Sequence, residues 1–320
     1  MYDDLKNKLT GCFYTIFTPF LENENIDYES LEKYITVLYK QGARKFYAMA
    51  YNSRYSQLND KEILELNEFC IKTVKRLDKN NIVIVGDPIH GSTKNSTQFA
   101  IHAKDIGADL ISLIVREKHF EDDQILEHYS QIGNAANLPI LVHEMPFLSG
   151  YGGIQMHWPQ SLITSLPKVP QIIALKEDAH DFEMTKLALS LEPNIRVIIA
   201  GTKAKLMQYQ NLGAQAYLNG ISIIDASIGE QFWQAFKKND KQAIDFILNE
   251  LEAPFFDICA AKYGWHRVNK ALLQAAGYMH RRDRMPLKHL SDEQFIEVQS
   301  IYSQVEESLN LWKSKGEKYS

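Results

Sequence analysis

Gln171-Ile172-Ile173-Ala174-Leu175-Lys176-Glu177-Asp178 is an apolar run that ends on a lysine. Bounded by Pro170 and by a charged cluster, it reads as a strand buried on both faces rather than a half-exposed one. Lys176 then sits at the C-terminal end of that strand. Just inside an apolar barrel or sheet an ammonium loses its hydration, so its pKa falls and a neutral amine able to attack a carbonyl becomes available near pH ~7. That is the chemistry of a Schiff base. Taken alone, the segment also fits a surface lysine paired with Glu177 or Asp178, so the rest of the chain has to decide.

Outward from this strand, short apolar runs alternate with helical patterns. Cys12 to Thr18, stopped by Pro19, is the first strand, and Lys45 to Ala50 the second. Ile82 to Gly86, Asp109 to Val115 and Leu138 to His143 are the third to fifth, and the lysine strand is the sixth. Arg196 to Gly201 and Ala216 to Ser222 complete the set. Between them lie helical repeats such as Leu31, Tyr34, Ile35 and Leu38, and Asn59 with Glu62 three residues on has the form of a capping box. Eight strands, each followed by a helix, with no Pro- or Ser-rich linker, predict an α/β fold: a (β/α)8 TIM barrel over residues 1–226. An open doubly wound sheet would need a glycine fingerprint after the first strand, and none is present. Residues 227–320 read as a helical C-terminal region that ends in a polar, fraying tail from Lys313.

The 320 residues, 45% apolar and 23% charged, are ordinary for a globular chain. A formal net charge of -5 argues against a nucleic-acid footprint. Cys12, Cys70 and Cys259 form no CxxC pair, so neither a disulfide framework nor a cysteine metal site is expected. Without a signal-like N-terminus or ~18 consecutive apolar residues, the expected location is the cytoplasm, off the membrane.

A barrel of this kind carries its site at the C-terminal ends of the strands. That rule gathers Thr18, Tyr51, Asn52, Asp87, His143, Glu144, Lys176 and Asn219 to Ser222. Lys176 is the candidate nucleophile, with His143 as a candidate acid/base group. Asn52, Ser53, Thr18, Gly201 and Ser222 are candidate substrate-binding residues. His180 and Asp181 lack further ligands at metal spacing, so no metal is assigned.

The set of Thr18-Pro19-Phe20, Ile173-Ala174-Leu175-Lys176-Glu177, Leu138-Pro139-Ile140-Leu141-Val142 before Pro146, and Arg284-Met285-Pro286-Leu287 with Leu290-Ser291-Asp292-Glu293 resembles the dihydrodipicolinate synthase and N-acetylneuraminate lyase group of pyruvate-dependent class I aldolases. The resemblance covers most of the chain. It implies a lyase, aldolase or dehydratase acting on a small 2-oxo acid, a covalent imine at Lys176 with no separate cofactor, and a homo-oligomer, dimer or tetramer. The chain departs from the family pattern at three places. His143-Glu144-Met145-Pro146 stands where a Tyr-Asn-x-Pro motif places its tyrosine, so His143, alone or paired with Tyr51, is expected to move the protons. Ala50-Tyr51-Asn52-Ser53-Arg54 replaces a Gly-Thr-Thr-Gly-Glu loop that holds the substrate carboxylate. Leu148 replaces an arginine that synthases use for a second, dicarboxylic substrate, and His119, with Tyr55 and Ser222, is a candidate for specificity. The alternative reading is a barrel of the same family that binds a small carboxylate or sugar acid without turnover.

Overall fold

The computed structural model describes residues 2–89, 91–115, 120–145, 157–179 and 181–316. Among them are eight parallel strands, β1 (Gly11–Thr15), β2 (Lys45–Tyr47), β3 (Ile82–Gly86), β4 (Leu110–Leu113), β5 (Ile140–His143), β6 (Ile172–Glu177), β7 (Arg196–Ile199) and β8 (Ala216–Leu218). They are hydrogen-bonded in sequence order, and β8 pairs with β1, which closes a TIM barrel. The expected fold class is the observed one. Closure removes both sheet edges, and a helix between consecutive strands supplies the crossover that parallel pairing demands. The helix Asp60–Leu77 begins with the expected capping box, Asn59 and Glu62 exchanging side chain-to-backbone hydrogen bonds of 3.0 Å.

Contacts divide the chain into two compact units. Residues 1–16 and 44–218 hold the strands; residues 17–43 and 219–320 form the other unit. In the first, one apolar cluster fills the barrel, with Phe13, Tyr47, Ile84, Leu110, Leu141, Ile173, Ala174, Ile198 and Leu218 among its members. In the second, helices run over Tyr28–Lys40, Ala226–Lys238, Trp265–Ala275 and Asp292–Gly316. The helix that carries the polar tail continues to Gly316 where fraying was expected. Trp312 stacks on Phe246 with 4.4 Å between ring centroids, and Lys313 Nζ reaches Asp225 Oδ2 at 2.5 Å, so the last turns have partners to hold them.

Five expected strands run too far at their C-terminal ends; the fourth stops at Leu113 and the seventh at Ile199. The first stops at Thr15, the second at Tyr47 and the eighth at Leu218, although Ile16, Met49, Ala50 and Ile221 beyond them are buried. Their burial gives these residues the apolar composition of a strand, but the backbone has left the ladder. Asn219 and Ser222 therefore lie in a turn rather than on β8: Gly220 takes φ +52°, and the Ser222 amide donates to the Asn219 carbonyl at 2.9 Å.

One irregularity positions the site. Along β5 and β6, Ile140 stands opposite Ile172, but Leu141 stands opposite Ala174, so one residue of β6 is left unmatched. This is a β-bulge at Ile173. Ile173 and Ala174 both belong to the barrel-filling cluster although they are adjacent in sequence, which breaks the two-residue alternation once. Beyond the bulge the register is Val142 with Leu175 and His143 with Lys176. Alternation resumed from Leu141 and Ala174 turns both His143 and Lys176 into the barrel.

Candidate active site

Lys176 is 1% exposed, and its ammonium nitrogen is held between two groups. Its Nζ lies 2.7 Å from His143 Nε2 and 2.8 Å from Asp178 Oδ2. The lysine is thus paired with Asp178, as the surface reading allowed, but in the interior. Burial pushes its pKa below the ordinary lysine range; the Asp178 and Glu177 carboxylates pull it back, and the Lys205 charge adds to the lowering. His143 is driven well below the usual imidazole range, first by burial and then by the Lys176 charge, with Asp178 opposing. Its Nδ1 has no hydrogen-bond partner. The imidazole is consequently neutral, and its Nε2 can accept a hydrogen bond from the Lys176 nitrogen.

The two acids after the lysine face opposite ways. Asp178, two residues on, shares the inward side with Lys176. Glu177 is tied elsewhere: its Oε1 accepts from the Ala179 amide at 2.6 Å and its Oε2 from Lys205 Nζ at 3.3 Å. Asp178 is the functional candidate that a residue-type reading of the sequence passed over. Its place two residues after the lysine, one past the end of β6, was the available signal.

Tyr51 packs against the barrel-filling cluster, and its ring lies 4.8 Å from the Arg54 guanidinium carbon. Burial raises its phenol pKa; Arg54 opposes this and Asp178 adds to it. The structure joins His143 to Lys176 rather than to Tyr51, because the shared register of β5 and β6 puts the imidazole and the amine side by side. Asn52 is buried; its Nδ2 donates to Thr15 Oγ1 at 2.9 Å, and its Oδ1 has no hydrogen-bond partner. The Ser53 hydroxyl donates to the Ile16 carbonyl at 2.6 Å and accepts from the Met49 amide at 3.1 Å, so it braces the turn after β2. Gly201 turns the chain after β7 with φ +101°.

On the β2 to β4 side, the Tyr47 hydroxyl and Ser112 Oγ lie 2.5 Å apart. Asp87, after β3, is buried, and its Oδ2 accepts from Ser96 Oγ at 2.6 Å. Burial pushes its pKa up to about 7, against the Ser96 hydroxyl and the amides of Asp87 and Ile114.

Thr18 and Ser222 belong to the second unit. The Thr18 carbonyl accepts from Lys270 Nζ at 2.6 Å, and the buried Ser222 hydroxyl has no hydrogen-bond partner. His119, Pro146, Leu148 and His180 lie outside the described residues. Among the described residues no helix is long and apolar enough to cross a membrane.

Comparison with known proteins agrees with this architecture. The chain is 24% identical over 302 residues to the 4-hydroxy-tetrahydrodipicolinate synthase of Staphylococcus epidermidis, covering 92% of this chain and 96% of the relative. It is also 24% identical over 263 residues to an uncharacterised DapA-like lyase of Pyrococcus abyssi, covering 76% and 81%. Among solved structures, the Clostridium difficile protein CdNal in complex with mannosamine superposes with a TM-score of 0.79 at 19% identity, over 93% of this chain and 99% of that one. The N-acetylneuraminate lyase of Fusobacterium nucleatum gives 0.76 at 18% identity, over the same shares. These likenesses show the fold. The model of the dihydrodipicolinate synthetase family matches residues 8–305, and the chain belongs to that family.

Proposed function

We propose that this chain is a Schiff-base-forming lyase, aldolase or dehydratase that acts through Lys176 on a 2-oxo acid such as pyruvate or a sugar-derived keto acid. The observation that carries the reading is the Lys176 amine, sealed from solvent and flanked at 2.7 and 2.8 Å by an imidazole and a carboxylate. Its relatives include proteins named as a synthase and as a lyase, which agrees with carbon-carbon bond chemistry.

The mechanism follows from the groups present. The Lys176 ammonium gives up one proton, the neutral amine attacks the substrate carbonyl, and that proton returns to the departing oxygen as water leaves, so a protonated imine remains. That imine accepts the electron pair of a bond broken at the neighbouring carbon, which makes C–C cleavage or water loss accessible. His143 Nε2, next to the nitrogen and neutral, takes the proton from the substrate carbon or hydroxyl and returns it. Tyr51 lines the same interior, and Asn52 Oδ1 offers an acceptor to a substrate hydroxyl. The reaction needs no separate cofactor; the protein is proposed to work in the cytoplasm as a homodimer or homotetramer. Because burial lowers the Lys176 pKa, imine formation should rise with pH through a midpoint below the ordinary lysine value.

Borohydride trapping with pyruvate and a panel of sugar-derived 2-oxo acids, read by intact mass and peptide mapping, tests the reading. An adduct on Lys176 supports it; a folded protein that yields none with any of them ends it. A second reading, a family barrel that binds a small carboxylate without turnover, draws support from the turn after β2. There the Ser53 hydroxyl and the Asn52 amide are committed to the protein itself. Competing ligand binding without imine formation would favour it.

A further inference from the structure

We infer that Asp178 is a second catalytic residue: its carboxylate takes the proton that Lys176 must lose before it attacks, and returns that proton to the substrate oxygen that leaves as water. The inference deepens the imine-forming reading and rests on it.

A buried lysine cannot hand its proton to bulk water. The Asp178 side chain is 11% exposed and that of Lys176 1%, so the acceptor must be a group in contact with Nζ. Two are: His143 Nε2 at 2.7 Å and Asp178 Oδ2 at 2.8 Å. The imidazole is poorly placed for it. A proton passed to its Nε2 would only move the buried positive charge onto a ring whose Nδ1 side has no hydrogen-bond partner to spread it. Transfer to Asp178 instead converts a buried ion pair into two neutral groups, which removes the desolvation cost of both charges. His143 is then left free for the proton transfers on the substrate.

The atoms balance. The ammonium gives one proton to the carboxylate, and the amine forms a C–N bond as the carbonyl π pair moves to oxygen. That oxygen takes the proton held by Asp178 and, as the C–O bond breaks, a second proton from nitrogen. It leaves as water, and the iminium retains one N–H, which faces the restored carboxylate. Charged or titratable groups meet this pair from each neighbouring element: His143 on β5, Tyr47 on β2, Tyr51 after it, Glu177 on β6 itself and Lys205 in the helix after β7.

The test is the rate of imine formation with pyruvate, measured by timed borohydride quenching and peptide mass across pH, in wild type, Asp178→Asn and Asp178→Glu. Competitive acetylation of Lys176 in each gives the midpoint of the amine. If Asp178 carries the proton, Asp178→Asn lowers the pH-independent plateau about 100-fold or more, while acetylation still reports a reactive Lys176. Asp178→Glu, with its carboxylate displaced by one methylene, recovers part of the plateau. If Asp178 acts only as a fixed charge, Asp178→Asn moves the midpoint to lower pH and leaves the plateau intact, which overturns the inference. If Asp178→Asn does not fold, the Asp178→Glu plateau decides: a fall supports the inference and an unchanged value overturns it. Wild type that forms no adduct defeats the imine-forming reading itself, and the inference with it.

Discussion

The β5–β6 side of the barrel and the β2–β4 side both bury polar groups at the strand ends, yet they handle them in opposite ways. On the first side a lysine, a histidine and an aspartate touch, and Nδ1 of the histidine is left unpartnered. On the second, hydroxyls pair with hydroxyls or carbonyls: Tyr47 with Ser112, Tyr55 with Asn67, Ser53 with Ile16. Asp87 rests on the Ser96 hydroxyl with its pKa raised to about 7. Hydrogen-bonded neutral pairs stiffen a fold, whereas a buried cluster of charged groups costs stability and is kept for its chemistry. Under the proposed function, the difference puts the imine chemistry at β5 and β6 and leaves β2, β3 and β4 as its support.

Removal of the amine should break the comparison most severely. Lys176→Ala is expected to abolish borohydride trapping and to lower turnover by roughly 10⁴-fold or more, with the far-ultraviolet circular dichroism of a folded barrel retained. Residual trapping elsewhere in the chain would move the site. His143→Ala comes next: turnover should fall by about 10² to 10⁴-fold while the Lys176 adduct is still found by peptide mapping. Unchanged turnover would remove the imidazole from the mechanism.

Asp87→Asn probes the supporting side. A carboxyl whose folded pKa is raised to about 7 binds more protons in the fold than in the unfolded chain, from its ordinary value up to about 7. Its contribution is therefore present at low pH and lost as pH rises through that window. The variant should escape this loss and be more stable than wild type at pH ~8 by roughly 2–4 kcal/mol, and by less at pH ~5. Urea unfolding at the two pH values measures both; a difference independent of pH would contradict the assigned protonation. The smallest effect is expected at Tyr47→Phe. Loss of one buried hydrogen bond to Ser112 should cost about 1–2 kcal/mol in the same unfolding assay and change turnover less than a few-fold. A loss of turnover as large as that of His143→Ala would show that the β2–β4 side takes part in the chemistry.

Much of this molecule was legible from one dimension. Alternation of apolar runs with helical repeats gave the barrel, and the run before Lys176 gave the lysine its strand, because apolar sequence and burial are linked directly. Strand ends were less legible at Thr15, Tyr47 and Leu218, where buried residues continue past the hydrogen-bonded ladder. Family membership, with a model that spans residues 8–305, accords with the motifs around Thr18 and Lys176. The roles of Asn52 and Ser53 were the least legible, since a side chain that could meet a ligand can equally bond its own backbone, as Ser53 does.

By itself, then, the sequence determined the architecture and the strand on which the amine sits, since periodicity and composition are properties of the chain. Only the tertiary structure decided what the amine touches. A single unmatched residue at Ile173 shifts the register of β6 against β5, places Lys176 beside His143, and brings Asp178 to the same inward side. Pairing register is a relation between two strands, and it is not written in either of them alone.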